Sequence, residues 1–436
     1  MNQKQNKNIT KKITIISICT FLVCSLGWFC YKKNLERVEQ NKIEEKQLIL
    51  SVVKNSLDEY FHHGGEKPQL VRVNGRDYQL EYSTNNDLEN HVKKLISRYR
   101  SAHIAVVVLD NETGNILLSM GHSRNSDEFG PVLPFTSTHP AASLFKIITA
   151  ADLLENTPVT EDSRFKFHGR GTTLYKNQLK VTNSRWARYQ SLEKAFAFSN
   201  NVVFGKAAIN QSTAESLMRT AFNFGFNRDL MEEVNLSRSI VEMPENQYNF
   251  AELASGFNRD TRISPIHGAA IAATVANHGE FVTPRFLKKI IDLETGEVVW
   301  SGHKLRNESI SVESATALKQ MMELTVSQGT ARGSFRRFDR KIRKLVTVGG
   351  KTGTITGGIP EGKRDWFTSF AVPNDTAAGK GISVCVMIVN DNKWYVKSAY
   401  MAKEIIEYYY KKILRIENAF LKDSSSQVRL KSEGRS

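Results

Sequence analysis

Cysteine is scarce in this chain of 436 residues, and its four copies are poorly placed for covalent or metal-bound structure. Three of them lie in an apolar stretch near the N-terminus, and Cys385 stands alone in a strand-like run. No C-x-x-C pair occurs, which argues against a disulfide framework or a zinc site. We therefore expect an ordinary hydrophobic core, for which a hydrophobic content of 40% is sufficient.

Metal and nucleic-acid signatures are also missing. The ten histidines show no H-E-x-x-H or comparable spacing, so we predict no metal site. No helix-turn-helix, zinc-finger or RNA-binding aromatic pattern is found, and we predict no nucleic-acid partner. The net charge of +15 then leaves two interpretations, a solvated basic surface or attraction to an anionic lipid or polymer.

The N-terminal end predicts a membrane anchor. Residues 13–31 contain no charged side chain and would form a helix about 28 Å long, close to the thickness of a bilayer core. Lysines precede this run without nearby acids, which favours a cytoplasmic segment at 1–12. No small-x-small cleavage site follows, so we expect a single uncleaved span at 13–31 with the rest of the chain outside the cytoplasm.

Beyond the anchor we predict three regions: a helical stalk or linker at 32–75, a globular domain at 76–415 and a basic disordered tail at 416–436. The domain shows two β-rich runs, a long stretch with helical patterns, three more β-rich runs and a closing helix. This order indicates an α+β fold with an antiparallel five-stranded sheet flanked by helices and a mainly helical subdomain. The predicted strands are 104–110, 115–120, 345–355, 366–372 and 382–389.

Ser143 is the strongest candidate nucleophile. The pattern S-x-x-K occurs five times, but only Ser143 and Lys146 lie in a helix that is apolar on nearly every face. The two residues are three positions apart and share one helix face. Burial would lower the pKa of Lys146 and make its amine available as a base for the serine hydroxyl. The alternative is a lysine that extends to solvent or pairs with an acid.

Two further segments complete the pattern. Ser199 and Asn201, in an S-x-N sequence between two helical runs, can either face a cleft or simply cap a helix. Lys351, Thr352 and Gly353 form the only K-T-G of the chain, in a strand-like run. A phosphate loop would need a glycine where Leu345 stands, so the remaining alternatives are a peptide-binding edge strand and a plain strand with a surface lysine.

In this order, S-x-x-K, S-x-N and K-T-G resemble the transpeptidase domain of penicillin-binding proteins. The flanking segments SLEKAFAFSNNVVFGKAA, ISPIHGAAIAATVANHGEFVTP and SQGTAR are similar to that family as well. The resemblance covers roughly residues 80–412. One departure is the approach to Ser143, where His139-Pro140-Ala141-Ala142 replaces the usual proline-glycine entry.

The resemblance implies a role for each matching residue. Ser143 would attack the penultimate D-Ala carbonyl of a peptidoglycan stem peptide, and Lys146 would be the general base. Ser199 would relay a proton to the leaving D-Ala, and Asn201 would bind the substrate amide. In the third motif, Lys351 would tune the electrostatics, Thr352 would bind the terminal carboxylate, and Gly353 would belong to the substrate-binding strand. The backbone N–H groups of Ser143 and Thr354 would form the oxyanion hole.

The activity implied by the resemblance is a membrane-anchored D,D-transpeptidase that is inhibited by β-lactams and needs no metal or organic cofactor. Its expected place is the bacterial cytoplasmic membrane, with the catalytic domain outside the cytoplasm and stem peptides, β-lactams and wall-synthesis proteins as partners. Two alternatives stay open: a D,D-carboxypeptidase that uses water as acceptor, and a non-catalytic β-lactam sensor or scaffold. Asn201 argues against a class D-like β-lactamase, which would carry valine at that position of the motif.

Overall fold

The computed structural model describes residues 2–63, 66–126, 128–130, 132–181, 184–235, 237–302, 306–375, 380–391 and 393–413. The predicted tail at 416–436 lies outside these residues, as do the side chains of residues 2–24, 26 and 30, which include most of the predicted anchor at 13–31. Among the described residues, no helix is both long enough and apolar enough to cross a membrane.

The described helices are α1 (Asn2–His63), α2 (Asn86–Ile96), α3 (Val132–Phe135), α4 (Lys146–Asn156), α5 (Lys176–Leu179), α6 (Leu192–Ala197), α7 (Asn201–Gln211), α8 (Ala214–Asn223), α9 (Gln247–Ser255), α10 (Pro265–Ala276), α11 (Val312–Ser327), α12 (Arg332–Phe335), α13 (Arg340–Leu345) and α14 (Ser398–Tyr408). A 3-10 turn at Ala142–Phe145 leads into α4, and a π-helical turn at Tyr409–Ile413 follows α14.

The described strands are β1 (Leu70–Val73), β2 (Arg76–Tyr82), β3 (His103–Asp110), β4 (Ile116–Ser123), β5 (Glu128–Gly130), β6 (His139–Pro140), β7 (Arg164–Phe167), β8 (Arg188–Ser191), β9 (Arg262–Ile263), β10 (Glu280–Val282), β11 (Leu287–Asp292), β12 (Val298–Trp300), β13 (Arg306–Glu308), β14 (Val346–Thr356), β15 (Lys363–Pro373) and β16 (Ile382–Asn390).

The central sheet confirms the α+β class and corrects the strand count. In the described part of the chain it has six antiparallel strands in the order β14-β15-β16-β3-β4-β5. The five predicted strands are all present, and the short β5 adds the sixth. Along β3, alternate side chains enter two different cores: Val107 faces one and Val106 faces the other. Both faces of the sheet are therefore covered, which explains its uninterrupted apolar runs.

A second sheet, β1-β2-β11-β12, was not predicted. Its strands are short and partly exposed, and β11 and β12 fall in a stretch that the sequence presents as mainly helical. The second half of α1 packs near this sheet through four buried side chains spaced four residues apart: Ile49, Val53, Leu57 and Phe61. A stripe of that period lies on one helix face, so this half of the expected stalk belongs to the globular core.

The buried helix α10 packs on the sheet face to which Val107 points, against β3, β15 and β16. All twelve of its residues are buried, and Ser264 caps its N-terminus by accepting a hydrogen bond from the backbone of His267. Gly268 packs directly on the buried thiol of Cys385 in β16, which leaves no room for a side chain at residue 268. On the same face of the sheet, the turn Ala142–Phe145 and α11 pack against β14, an edge strand. The three sequence motifs meet at this edge.

Candidate active site

The turn that carries Ser143 is held by tight backbone packing. Ala142 has a φ of 51°, a left-handed conformation that is unusual for a residue with a side chain. Gly256 ends α9 with a φ of 62°, and a Cβ at Gly256 would overlap the carbonyl oxygen of Ala142. The unusual entry is also fixed, since His139–Pro140 pairs with β9 and Trp366 Nε1 donates to the Pro140 carbonyl at 3.1 Å. The turn is therefore well supported even though His139-Pro140-Ala141-Ala142 stands in place of the usual proline-glycine entry.

Lys146 is fully buried at the start of α4 and is directed at Ser143. Its Nζ lies 3.0 Å from Ser143 Oγ and 2.7 Å from Asn201 Oδ1, and it also donates to the backbone carbonyl of Ser255. None of these partners is anionic. Burial, and to a lesser extent the neighbouring Lys351 ammonium, hold the pKa of Lys146 well below its usual value. The alternative of a solvent-reaching or acid-paired lysine is wrong.

The hydrogen-bond partners of Lys146 determine where its lone pair points. Asn201 Nδ2 donates to the carbonyl of Thr172 at 3.1 Å, which orients the amide so that its oxygen faces Lys146. That oxygen and the Ser255 carbonyl can only accept hydrogen bonds, so they bind the two hydrogens of a neutral amine. In that neutral form the lone pair is left for the hydroxyl of Ser143, whose Oγ lies 3.0 Å from Nζ. This arrangement is the one a general base requires.

The S-x-N segment combines both of its predicted roles. Asn200 caps α7, because its side chain accepts a hydrogen bond from the backbone N–H of Val203 at 3.1 Å. Ser199, with a φ of 57°, and Asn201 flank that cap and line the cleft. Asn200 thus caps the helix, and Ser199 and Asn201 face the cleft that contains the nucleophile.

The K-T-G segment lies along β14. Lys351 is fully buried, so the alternative of a plain strand with a surface lysine is wrong. The Nζ of Lys351 donates to Ser199 Oγ and to the Thr352 carbonyl, each at 3.0 Å. Burial lowers the pKa of Lys351 to about 7. A Cβ on Gly353 would lie 3.2 Å from Ala142 Cβ and 3.4 Å from the backbone nitrogen of Ser143. Glycine therefore lets the strand approach the nucleophile turn closely.

Thr352 has a partner that the motif search did not predict. Its hydroxyl lies 2.6 Å from that of Thr330, which is two residues before the start of α12. Two adjacent hydroxyls beside a lysine are well suited to bind a carboxylate. The SQGTAR segment contains Thr330, so the flanking similarity held the only signal that could have identified it.

These elements surround a cleft of about 520 Å³. Six of the eight predicted site residues line it: Ser143, Ser199, Asn201, Thr352, Gly353 and Thr354. The other two, the buried Lys146 and Lys351, form hydrogen bonds with Ser143 and Ser199. None of the other four S-x-x-K serines lines it. The cleft also contains residues that the motifs did not point to, among them Thr172, Phe257, Ser334, Asp365 and Lys397.

The sequence profile of the penicillin-binding protein transpeptidase domain matches residues 104–407. The chain belongs to this family. The match spans all three motifs and the whole cleft, and it confirms the family predicted from them.

Curated relatives in this transpeptidase family are distant. Stage V sporulation protein D of Bacillus subtilis is 26% identical over 289 residues, which cover 61% of this chain and 42% of that protein. Peptidoglycan D,D-transpeptidase PbpA of Mycolicibacterium smegmatis is 23% identical over 57% of this chain and 50% of its own length. The chain therefore matches half or less of the length of these two relatives.

Solved structures share the fold of this transpeptidase domain. The D,D-transpeptidase domain of a peptidoglycan glycosyltransferase from Eggerthella lenta superposes with a TM-score of 0.61 at 21% identity, covering 78% of this chain and 84% of that one. Penicillin-binding protein A from Mycobacterium tuberculosis, solved as an imipenem acyl-enzyme, gives 0.56 at 19% identity, covering 81% and 83%.

Proposed function

We propose that this protein is a serine D,D-transpeptidase that cross-links peptidoglycan stem peptides through an ester on Ser143 and is inhibited by β-lactams. The observation that carries the proposal is the buried Lys146 amine, 3.0 Å from Ser143 Oγ, with its other two partners restricted to hydrogen-bond acceptors. Family membership and the acyl-enzyme of a fold relative support the same chemistry.

The first step joins Ser143 Oγ to the penultimate D-Ala carbonyl carbon. Lys146 takes the hydroxyl proton, and the backbone N–H groups of Ser143 and Thr354 bind the developing oxyanion. Thr352, Thr330 and the Lys351 ammonium bind the terminal carboxylate. The second N–H of the Asn201 amide binds the peptide backbone of the substrate.

The amide C–N bond then breaks, and the departing D-Ala nitrogen needs a proton. The hydrogen bond between Lys351 and Ser199, at 3.0 Å, places a hydroxyl where it can relay that proton. An amine from a second stem peptide attacks the ester and restores Ser143. Attack by water instead would make the protein a D,D-carboxypeptidase.

The anchor at 13–31 stays part of the proposal. Its lack of charge and the lysines before it favour a single-pass protein of the cytoplasmic membrane with the catalytic domain outside the cytoplasm. Wall-synthesis proteins are its expected partners there.

A fluorescent penicillin tests the proposal. The purified chain is incubated with it beside a Ser143→Ala variant, and intact masses are recorded. A stable single adduct that is absent from the variant is the expected result. Absence of an adduct on folded protein would refute the enzymatic proposal and favour the scaffold alternative, and rapid loss of the adduct would indicate a β-lactamase. A pentapeptide substrate with an added amine then separates cross-linking from simple release of D-Ala.

A further inference from the structure

The segment that follows Thr330 carries an unusual density of positive charge. Between residues 332 and 344 it contains one acid and seven bases: Arg332, Arg336, Arg337, Arg340, Lys341, Arg343 and Lys344. The acid, Asp339, caps α13 and pairs with Lys411 at 2.8 Å. Within the described part of the chain, none of the seven bases forms an ion pair with a carboxylate. Their charge is therefore available to an external anion.

Three of these bases surround a cavity. Arg332, Arg336 and Arg343 line a space of about 480 Å³ together with Ser327 and Thr347. Buried apolar side chains form its base: Phe335, Phe338, Val346 and Val348. One carboxylate, that of Glu323, also lines it. A concave site with three guanidinium groups is suited to carboxylates, which arginine binds with two parallel hydrogen bonds. The hydroxyls of Ser327 and Thr347 take no part in this, because they donate to the Glu323 carbonyl and to Asn374 Oδ1.

This arginine cavity is a direct neighbour of the catalytic cleft. Helix α12 separates them, because Gly333 and Ser334 line the cleft while Arg332 and Phe335 line the cavity. Both spaces also lie along β14: the cavity is beside Val346 to Val348, and the cleft begins at Thr352, four residues later. At about 3.3 Å per residue, the offset along the strand is roughly 13 Å.

The order of groups along β14 indicates which part of the reaction the arginine cavity could serve. In the proposed reaction the terminal carboxylate lies at Thr352 and Thr330, so the departing D-Ala lies between the ester and α12. An attacking amine must approach the carbonyl carbon from the side that the leaving group has vacated. The rest of the acceptor then extends past α12 toward Arg332.

We propose that the arginine cavity is the binding site for the acceptor strand, and that it selects an amine carried on a peptide with free carboxylates. This proposal rests on the proposed transpeptidase function and specifies its second substrate. It also explains how an exposed ester can prefer an amine over water, since a bound acceptor holds its amine near the ester at a high effective concentration.

The test measures how the acyl-enzyme partitions between an amine and water. The full chain reacts with a thioester analogue of the donor peptide in the presence of a short peptide that has one free side-chain amine and two carboxylates. A twin peptide with both carboxylates amidated serves as the comparison. We expect the charged acceptor to half-saturate cross-linking at a concentration roughly tenfold below that of its twin.

Variants assign that preference to the cavity. Arg332→Gln combined with Arg336→Gln should remove the tenfold preference, and Glu323→Gln should increase it. Arg337→Gln is the matched control, because Arg337 is exposed and adjacent in sequence but does not line the cavity. Labelling by fluorescent penicillin should remain within about twofold of the wild type in all of them, which also reports correct folding.

Three outcomes would overturn the proposal. Equal use of the two peptides by wild type would show no selection of carboxylates. An equal effect of Arg337→Gln would indicate general attraction of anions to a basic surface, such as binding of an anionic polymer, instead of a built site. Cross-linking unchanged in the double variant would place the acceptor elsewhere. Failure of the proposed function is distinguishable, because wild type would then not be labelled by penicillin at all.

Discussion

Replacing Lys146 with methionine is the sharpest test of the site. Methionine matches the lysine stem closely in volume and can fill the same buried position, but its thioether sulfur is far too weakly basic to accept the serine proton. The geometry assigns that lone pair to Ser143 alone, because the Asn201 oxygen and the Ser255 carbonyl occupy the two N–H groups of the neutral amine. We therefore expect Lys146→Met to fold and to lose most of its reactivity toward penicillin.

The expected loss follows from the role of a positioned base. General base catalysis contributes about 10²- to 10⁴-fold, so the second-order acylation constant should fall by roughly a thousandfold, or about 4 kcal/mol in the barrier. The effect on stability has opposing parts. Two buried acceptors lose a hydrogen bond at a cost of roughly 1 to 3 kcal/mol each, and removal of a desolvated amine offsets part of that cost.

The assay is the rate of fluorescent-penicillin labelling under pseudo-first-order conditions, with urea unfolding of each variant as the check on folding. Lys206→Met is the matched control. Lys206 is also a buried lysine whose pKa is lowered by burial, but its Nζ donates to the Lys180 carbonyl at 3.2 Å, away from the cleft. It should keep labelling within about twofold. Labelling of folded Lys146→Met within tenfold of the wild type would refute the assignment of the base.

Three further changes test the surroundings of the site. Burial holds the pKa of Lys351 at about 7 against its usual 10.5. Between these pH values the unfolded chain binds more protons than the folded one, so the unfolding free energy rises with pH. Urea unfolding of Lys351→Met should show a rise between pH 7 and pH 9 that is roughly 2 kcal/mol smaller than that of the wild type. A rise of equal size in the variant would contradict this. Gly256→Ala places a Cβ against the Ala142 carbonyl and should slow penicillin labelling at least tenfold, whereas Gly75→Ala, also at positive φ but in open space, should not. Leu57→Ala should lower the unfolding free energy of the domain by roughly 2 to 5 kcal/mol, and the exposed Leu48→Ala by less than about 1 kcal/mol; equal small effects would mean that α1 is only a stalk.

The site was more predictable from the sequence than the fold around it. Burying a lysine in an apolar helix costs free energy, so its presence there indicates a function. This feature distinguished Ser143 from the four other S-x-x-K serines. No comparable indication of burial existed for Lys351, because β14 alternates small and polar residues, a pattern that is equally compatible with a lysine on the surface. Its burial depends on two helices that are distant in sequence: α11, which packs against β14, and α6, whose Phe196 ring centroid lies 5.4 Å from Lys351 Nζ. Thr330 was missed for the same reason, since a single threonine gains its role only where two distant segments meet.

The second sheet and the packed half of α1 show which parts of the fold could not be predicted from the sequence. Strands such as β1, with only two inward side chains, carry too little periodicity to be recognised without their partners. The stripe from Ile49 to Phe61 was visible as apolar positions near the end of the expected stalk. Whether such a stripe pairs with another helix or with the same chain is decided by tertiary contacts that one segment does not specify.

The two buried lysines of the site also constrain each other, and this leads to a last prediction. An ammonium on Lys351 opposes protonation of Lys146, and Lys351 has a pKa of about 7, so its charge is only half present at neutral pH. A carboxylate bound at Thr352 would raise the pKa of Lys351 and keep that charge in place. A penicillin and its methyl ester should therefore differ more in labelling rate at pH 8 than at pH 6, because at pH 6 Lys351 is already protonated without help. A rate ratio that stays constant between these two pH values would show that the carboxylate acts by binding alone and that Lys351 does not change its charge in the reaction.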